Sequence, residues 1–196
     1  MPLAVAAAGS ARKLLAEMLA DAAAAVDAGL AGRKPELAFV WYTSHFEDEG
    51  MVISRELRKR LGVEHLLGAS AEAVVGPRHE HEGEPALAVW AAALPPAALV
   101  RPFHFGQAEL EAADTDEEWQ GLLGQVDASD RPAFVAIADP YSLDIAALID
   151  AANERFPERP LLGGMASGSE APGQVSLLCG DEVRREPLAK SARVEL

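Results

Sequence analysis

Leu66-Leu67-Gly68-Ala69-Ser70-Ala71 and Leu161-Leu162-Gly163-Gly164-Met165-Ala166-Ser167 echo each other, and the fold turns on reading them as two copies of one strand. Each follows an apolar run and a helix-like stretch, and each leads through turn residues into another apolar run. A strand ending in small residues leaves its backbone amides uncovered, so a ligand can approach them closely. Phe39 corresponds to Val135 at an offset of 96 residues, and Gly68 to Gly163 at 95. An offset held over two elements argues for internal duplication.

Working outward, Glu36 to Thr43 is short, apolar and aromatic-rich, which suits a buried strand. A helix is expected over Gly50–Leu61, with acidic residues before it and Arg58, Lys59 and Arg60 in its last turn, as the macrodipole favours. His65–Ser70 is a strand. Ala73–Gly76 and Ala86–Leu94 read as arms of a hairpin, followed by a strand over Leu99–Phe105. In the second half, Asp114–Gln125 is expected as an acidic helix and Asp127–Pro132 as a loop. Ala133–Ala138 is expected as a strand, and a helix capped by Ser142 should run to Phe156. Strands at Leu161–Ser167 and Gln174–Cys179 complete the pattern. Near the N-terminus a helix from Ala11 to Ala28, capped by Ser10, is expected within a segment 1–34 that packs on the domain. The expected architecture is α/β: mixed β-sheet layers flanked by helices, with a layered αββα sandwich as one arrangement of them. Two pseudo-repeats of strand-helix-strand-hairpin are placed at about 35–105 and 130–183, followed by a tail over 184–196.

Composition excludes several function classes. A formal charge of −14 over 196 residues disfavours nucleic acid,. The basic residues of 55–60 alternate with Glu56 and Leu57 on a helix face. One cysteine, Cys179, excludes an internal disulfide and a multi-cysteine metal cluster,. No apolar run is long enough for a membrane span, and the N-terminus lacks the basic start of a secretory signal. A cytoplasmic protein is therefore expected.

Three motifs resembling catalytic or cofactor sites fail on their context. Gly68-Ala69-Ser70-Ala71-Glu72 lacks the last glycine of a nucleophile elbow, and Val74 to Pro77 cannot supply the required helix. Gly163 to Gly168 has phosphate-loop spacing, but Ser169-Glu170 stands where Lys-Ser/Thr is needed, and Pro172 and Gly173 block a helix. His79-Glu80-His81 offers two alternate ligands in a polar loop, too few for an expected metal. No catalysis, cofactor or metal is expected.

LLGASAEAVVG (66–76), ADPYS (138–142) and RPLLGGMASG (159–168), taken in this order and spacing, resemble the FIST N-terminal domain (F-box and intracellular signal transduction) over Pro35 to Glu182. The resemblance implies a sensory module for a small ligand, with amino acids as proposed ligands, and a following partner domain. It departs at Ala69, where the family commonly has cysteine. An uncovered apolar face, and with it a homo-oligomer or a signalling partner protein, is a further expectation.

In open α/β sheets ligands lie outside the carboxyl ends of strands. Ligand-binding residues are accordingly expected at His45 after the first strand, at Gly68 and Ser70, at Asp139 and Tyr141, and at Gly163, Gly164 and Ser167. Asp139 would suit an ammonium group, and amides and hydroxyls a carboxylate. The plainer alternatives are that Asp139 serves the following helix and that the glycines permit close packing. A protein-interaction or scaffold module without a ligand site is the competing functional reading.

Overall fold

The computed structural model describes residues 2–126, 131–180, 182–184 and 189–195. Most of the expected 127–132 loop and residues 185–188 of the expected tail lie outside them. In chain order the elements are β1 (Ala4–Ser10), α1 (Leu15–Gly29), β2 (Leu37–Thr43), a 3-10 turn (Ser44–Glu49), α2 (Gly50–Leu61), β3 (His65–Ala71), β4 (Ala73–Val75), β5 (Glu80–Glu82), β6 (Leu87–Ala93), β7 (Leu99–Phe105), α3 (Gln107–Ala112), α4 (Asp116–Leu122), β8 (Pro132–Ala138), α5 (Ile145–Arg155), β9 (Leu161–Met165), β10 (Leu177–Cys179), β11 (Glu182–Arg184) and β12 (Ala189–Glu195).

They form a six-stranded sheet, β1-β6-β2-β3-β10-β11, a four-stranded sheet, β7-β12-β8-β9, and the separate ribbon β4-β5. The buried apolar side chains define the layers. Met18, Leu19 and Val26 of α1 and Ile53 and Leu57 of α2 pack on Val40, Leu66 and Val89 at one face of the first sheet. Phe39, Leu67 and Leu177 on its other face meet Ile137, Val135 and Val100 of the second sheet. Trp119, Leu148 and Phe156 then cover the second sheet's far face. The molecule is an αββα sandwich of mixed sheets.

The duplication is exact to the register. Val40 stands opposite Gly68 in the parallel pair β2/β3, as Ala136 stands opposite Gly163 in β8/β9. Ala4 faces Ala93 as Leu99 faces Glu195, and Leu37 faces Ala92 as Ala133 faces Val194. In the ribbons, Ala73 faces Glu82 as Leu177 faces Arg184. Each unit is therefore β-α-β-α-β, then a small hairpin, then a final strand inserted into its own sheet.

This corrects the expected repeat boundaries of 35–105 and 130–183. The first unit begins at β1, and β7 opens the second unit instead of closing the first. The N-terminal segment supplies a strand as well as a helix, and the expected tail contains β12, which lies between β7 and β8. Ser10 ends β1 and does not cap α1, whose N-cap is Leu14 with no side-chain hydrogen bond. Ala86–Leu94 is not a hairpin arm. Nearly all of β6 is buried, and it sits between β1 and β2, while the short β5 partners β4. The expected Asp114–Gln125 helix is shorter, α4, restarted after α3 by a capping box in which Thr115 accepts from Glu118 N–H,. Helix α5 is capped by Asp144, whose carboxylate accepts from Ala147 N–H at 3.0 Å, two residues beyond the expected Ser142,.

Candidate functional site

The carboxyl ends of both parallel pairs converge at the junction of the two units. Near the end of β3, Ser70 is buried and held on every side. Its N–H donates to Ser176 O (2.9 Å), its Oγ accepts from Ser176 N–H (3.0 Å), and its carbonyl accepts from Ser167 N–H (3.2 Å). Ser167 Oγ in turn accepts from Glu72 N–H at 3.1 Å. Ser176 Oγ donates to the carbonyl of Glu47 in the 3-10 turn after β2, at 3.2 Å. Gly168 follows at φ +84°, where a Cβ would stand 2.8 Å from the carbonyl carbon and oxygen of Ala71.

After β8, Asp139 is buried and its Oδ1 accepts from Tyr141 N–H at 2.9 Å, forming an Asx turn,. Tyr141 is exposed, and its hydroxyl donates to Ser169 O at 2.8 Å, tying this turn to the loop after β9. Asp139, Tyr141, Ser167 and Ser70 thus share one linked set of loops. His45 is exposed in the turn after β2, with Nδ1 3.3 Å from Thr43 Oγ1. Thr43 belongs to a separate bridge: its Oγ1 accepts from Ala86 N–H at 3.1 Å.

The glycines have different roles. A Cβ on Gly68 would lie 2.1 Å from Val40 O, and one on Gly163 1.8 Å from Ala136 O. Both therefore let parallel strands approach, and the same steric demand at equivalent positions explains the echo in sequence. Gly164 has open space beside it, and with Gly163 it lines a cleft of about 350 Å³ between β9 and α5. Sequence reasoning missed this cleft. Its signal in the sequence was Met165, a large apolar residue where β3 has Ser70.

Of the motifs set aside, His81 Nδ1 lies 2.8 Å from Glu84 Oε1, and its ring centroid is 6.3 Å from that of His79. Among the described residues no group of three or more His, Cys, Asp or Glu could hold a metal. Cys179 is half-buried in β10, opposite Leu67. No helix among the described residues is long and apolar enough to cross a membrane.

The FIST N domain family model matches residues 36–189, from just before β2 to the start of β12. The chain belongs to the FIST N domain family. It is 32% identical over 161 residues to an uncharacterized protein of Mycobacterium tuberculosis (strain ATCC 25618 / H37Rv), a match covering 81% of this chain and 39% of that protein. An uncharacterized protein of Mycobacterium bovis (strain ATCC BAA-935 / AF2122/97) is 28% identical over 157 residues, covering 79% and 38%. The FIST chain thus spans about two fifths of the length of these relatives. Among solved structures, a cyanuric acid hydrolase from A. caulinodans aligns over 98% of this chain and 70% of its own, with a TM-score of 0.42 and 9% identity.

Proposed function

We propose that this FIST domain is a sensory, signal-transducing module that binds a small polar ligand, with an amino acid as the favoured class, and performs no catalysis. The observation carrying this reading is the convergence of strand ends at the unit junction. The Asp139–Tyr141 turn and the Ser167–Ser169 loop are joined there by the Tyr141–Ser169 hydrogen bond. Carboxyl ends of parallel strands are where open α/β sheets take ligands. Asp139 supplies a carboxylate for an ammonium group, backbone N–H groups of the loop after β9 serve a carboxylate, and Tyr141 holds the two loops together through its bond to Ser169 O,. Ser70, Gly68 and Gly163 act beneath this site by holding the strands in place. His45 stays at the rim in this reading.

Binding at this junction would couple the two units, because the same loops carry the contacts between them. The coupling gives a sensory domain something to transmit. Thermal shift against a panel of amino acids tests the reading. A ligand near a hundredfold excess over its Kd should raise Tm by about 5 °C. Asp139→Asn keeps the Asx turn, since an amide oxygen can still accept from Tyr141 N–H, but removes the charge. It should abolish the shift while leaving the unliganded Tm nearly unchanged. Absence of a shift with every amino acid would sink the ligand class.

A further inference from the structure

The two parallel pairs differ at their outer edges. On β3 the groups of alternate residues point outward and are taken by β10 and the residues flanking it: Ser70 N–H donates to Ser176 O, and Leu66 O accepts from Gly180 N–H at 2.8 Å. Immediately after β9, Ala166 N–H points inward to Ala138 O at 2.8 Å. By alternation, the N–H groups of Gly163 and Met165 point outward, and no described strand meets them.

A side-chain groove accompanies the bare edge. In the first unit, Leu178 of β10 is fully buried in the cluster with Ile53 and Leu57 of α2, and Ser54 Oγ donates to Gly180 O. In the second unit, at the same offset of 95 residues as β3 to β9, Ile53 and Ser54 correspond to Leu148 and Ile149 of α5. Between α5 and β9 the space is the open cleft of about 350 Å³, with no charged side chain in its lining. Ile149, Leu162 and Met165 are 43%, 62% and 58% exposed. The first unit's own hairpin, β4-β5, pairs with neither sheet.

One unit-to-unit junction is therefore made, with the hairpin of the second unit on the edge of the first. Among the described residues one acceptor edge and one donor hairpin are left over. Head-to-tail joints of this kind propagate until a ring closes. The relatives continue well beyond the matched region, which is 39% of the M. tuberculosis protein.

We propose that the β9 edge and its cleft receive an antiparallel β-hairpin from a third unit of the same β-α-β-α-β design. An apolar side chain of that hairpin would stand opposite Gly163 and fill the cleft, as Leu178 stands opposite Gly68. A second copy of this chain fits less well. Pairing β9 with β9 sets an open cleft against an open cleft with no side chain to fill either, and seating a second copy's β4-β5 hairpin on β9 would bring together two chains that each carry a formal charge of −14.

The test is residue-resolved hydrogen exchange on this chain and on the full-length M. tuberculosis relative, with size-exclusion chromatography. In this chain, Gly163 and Met165 amides should exchange roughly a hundredfold faster than those of Gly68 and Ser70, and the protein should elute as a monomer. In the relative, the strand aligned with β9 should be protected as well as the strand aligned with β3. Leu162→Lys should leave this chain's Tm unchanged, and a lysine at the aligned position should lower that of the relative. Fast exchange at that strand in the relative overturns the proposal. So does a dimer of this chain with protected β9 amides that Leu162→Lys disperses, or a monomer whose β9 is already protected.

Discussion

Strands β3 and β9 occupy equivalent positions in two copies of one unit, yet β3 is buried along most of its length and β9 is exposed along most of its own. Both carry a glycine that lets them lie close to a parallel neighbour, and both sit beside a helix. What separates them is the hairpin β10-β11, which crosses from the second unit to seal the first. Burial here is set by what the rest of the molecule supplies to an edge, and the strand's own sequence records that only in part. The same steric requirement should therefore have unequal consequences at the two sites.

Replacing the two glycines breaks or sharpens this contrast most strongly. Gly68→Ala puts a methyl group 2.1 Å from Val40 O in a strand hydrogen-bonded on both sides, with no direction in which to yield. The expected loss is about 3 kcal/mol or more, a large part of a domain's stability. At Gly163 the nominal clash is closer, 1.8 Å to Ala136 O, and φ is +149°. There β9 can swing outward from an edge, and about 1–2 kcal/mol is expected. Urea unfolding of both variants measures the difference. Equal losses would mean that β9 is held from outside, and the contrast would collapse.

The serines give the next effect. Ser70→Ala leaves the buried Ser176 N–H without its acceptor at the unit junction, a loss of about 1–3 kcal/mol,. Ser167→Ala removes the acceptor for Glu72 N–H at an exposed position, where water replaces it, and about 0.5 kcal/mol or less is expected,. A reversed order in denaturant midpoints would show that the junction is held chiefly by the exposed loop.

Much of this organisation was legible in the residues. Apolar runs such as Phe39–Thr43 and Ala133–Ala138 announce buried strands, α2 agrees with its charge distribution, and the 95- and 96-residue offsets survive in the registers. The repeat frame was harder to see because β1 reads Ala-Val-Ala-Ala-Ala-Gly-Ser, small residues whose period-2 burial gives no clear hydropathic alternation. Long-range pairing hid the rest. Nothing local tells β6 to lie between β1 and β2, or β12 to enter the second sheet. Of the residues expected at a site, Asp139, Tyr141, Ser167 and Ser70 fall in one linked set of loops, because strand ends are predictable places. Gly68 and Gly163 answer to backbone packing, which looks identical to a ligand-binding glycine until the neighbouring carbonyl is known.

The smallest contrast is between helix starts, and it gives α4 of the second unit an acid-sensitive cap that α1 of the first unit lacks. Helix α1 begins without a side-chain cap and rests on its buried face, whereas α4 depends on Glu118 reaching back. The Glu118 carboxylate accepts from Thr115 N–H at 2.9 Å, Thr115 Oγ1–H at 2.8 Å and Asp114 N–H at 3.0 Å. These bonds, the Thr115 backbone bond first, hold its pKa below the ordinary glutamate value of 4.5,. A carboxylate whose folded pKa is depressed contributes stability that is present above the unfolded value. That contribution is lost as pH falls from 4.5 through the lowered folded value. Glu118→Gln should therefore flatten the acid limb of the stability curve in that window, with only a slight change at neutral pH because the group is exposed to solvent. Denaturant midpoints measured across the window decide it. A variant with an undiminished acid slope would place the sensitivity elsewhere and remove this difference between the units.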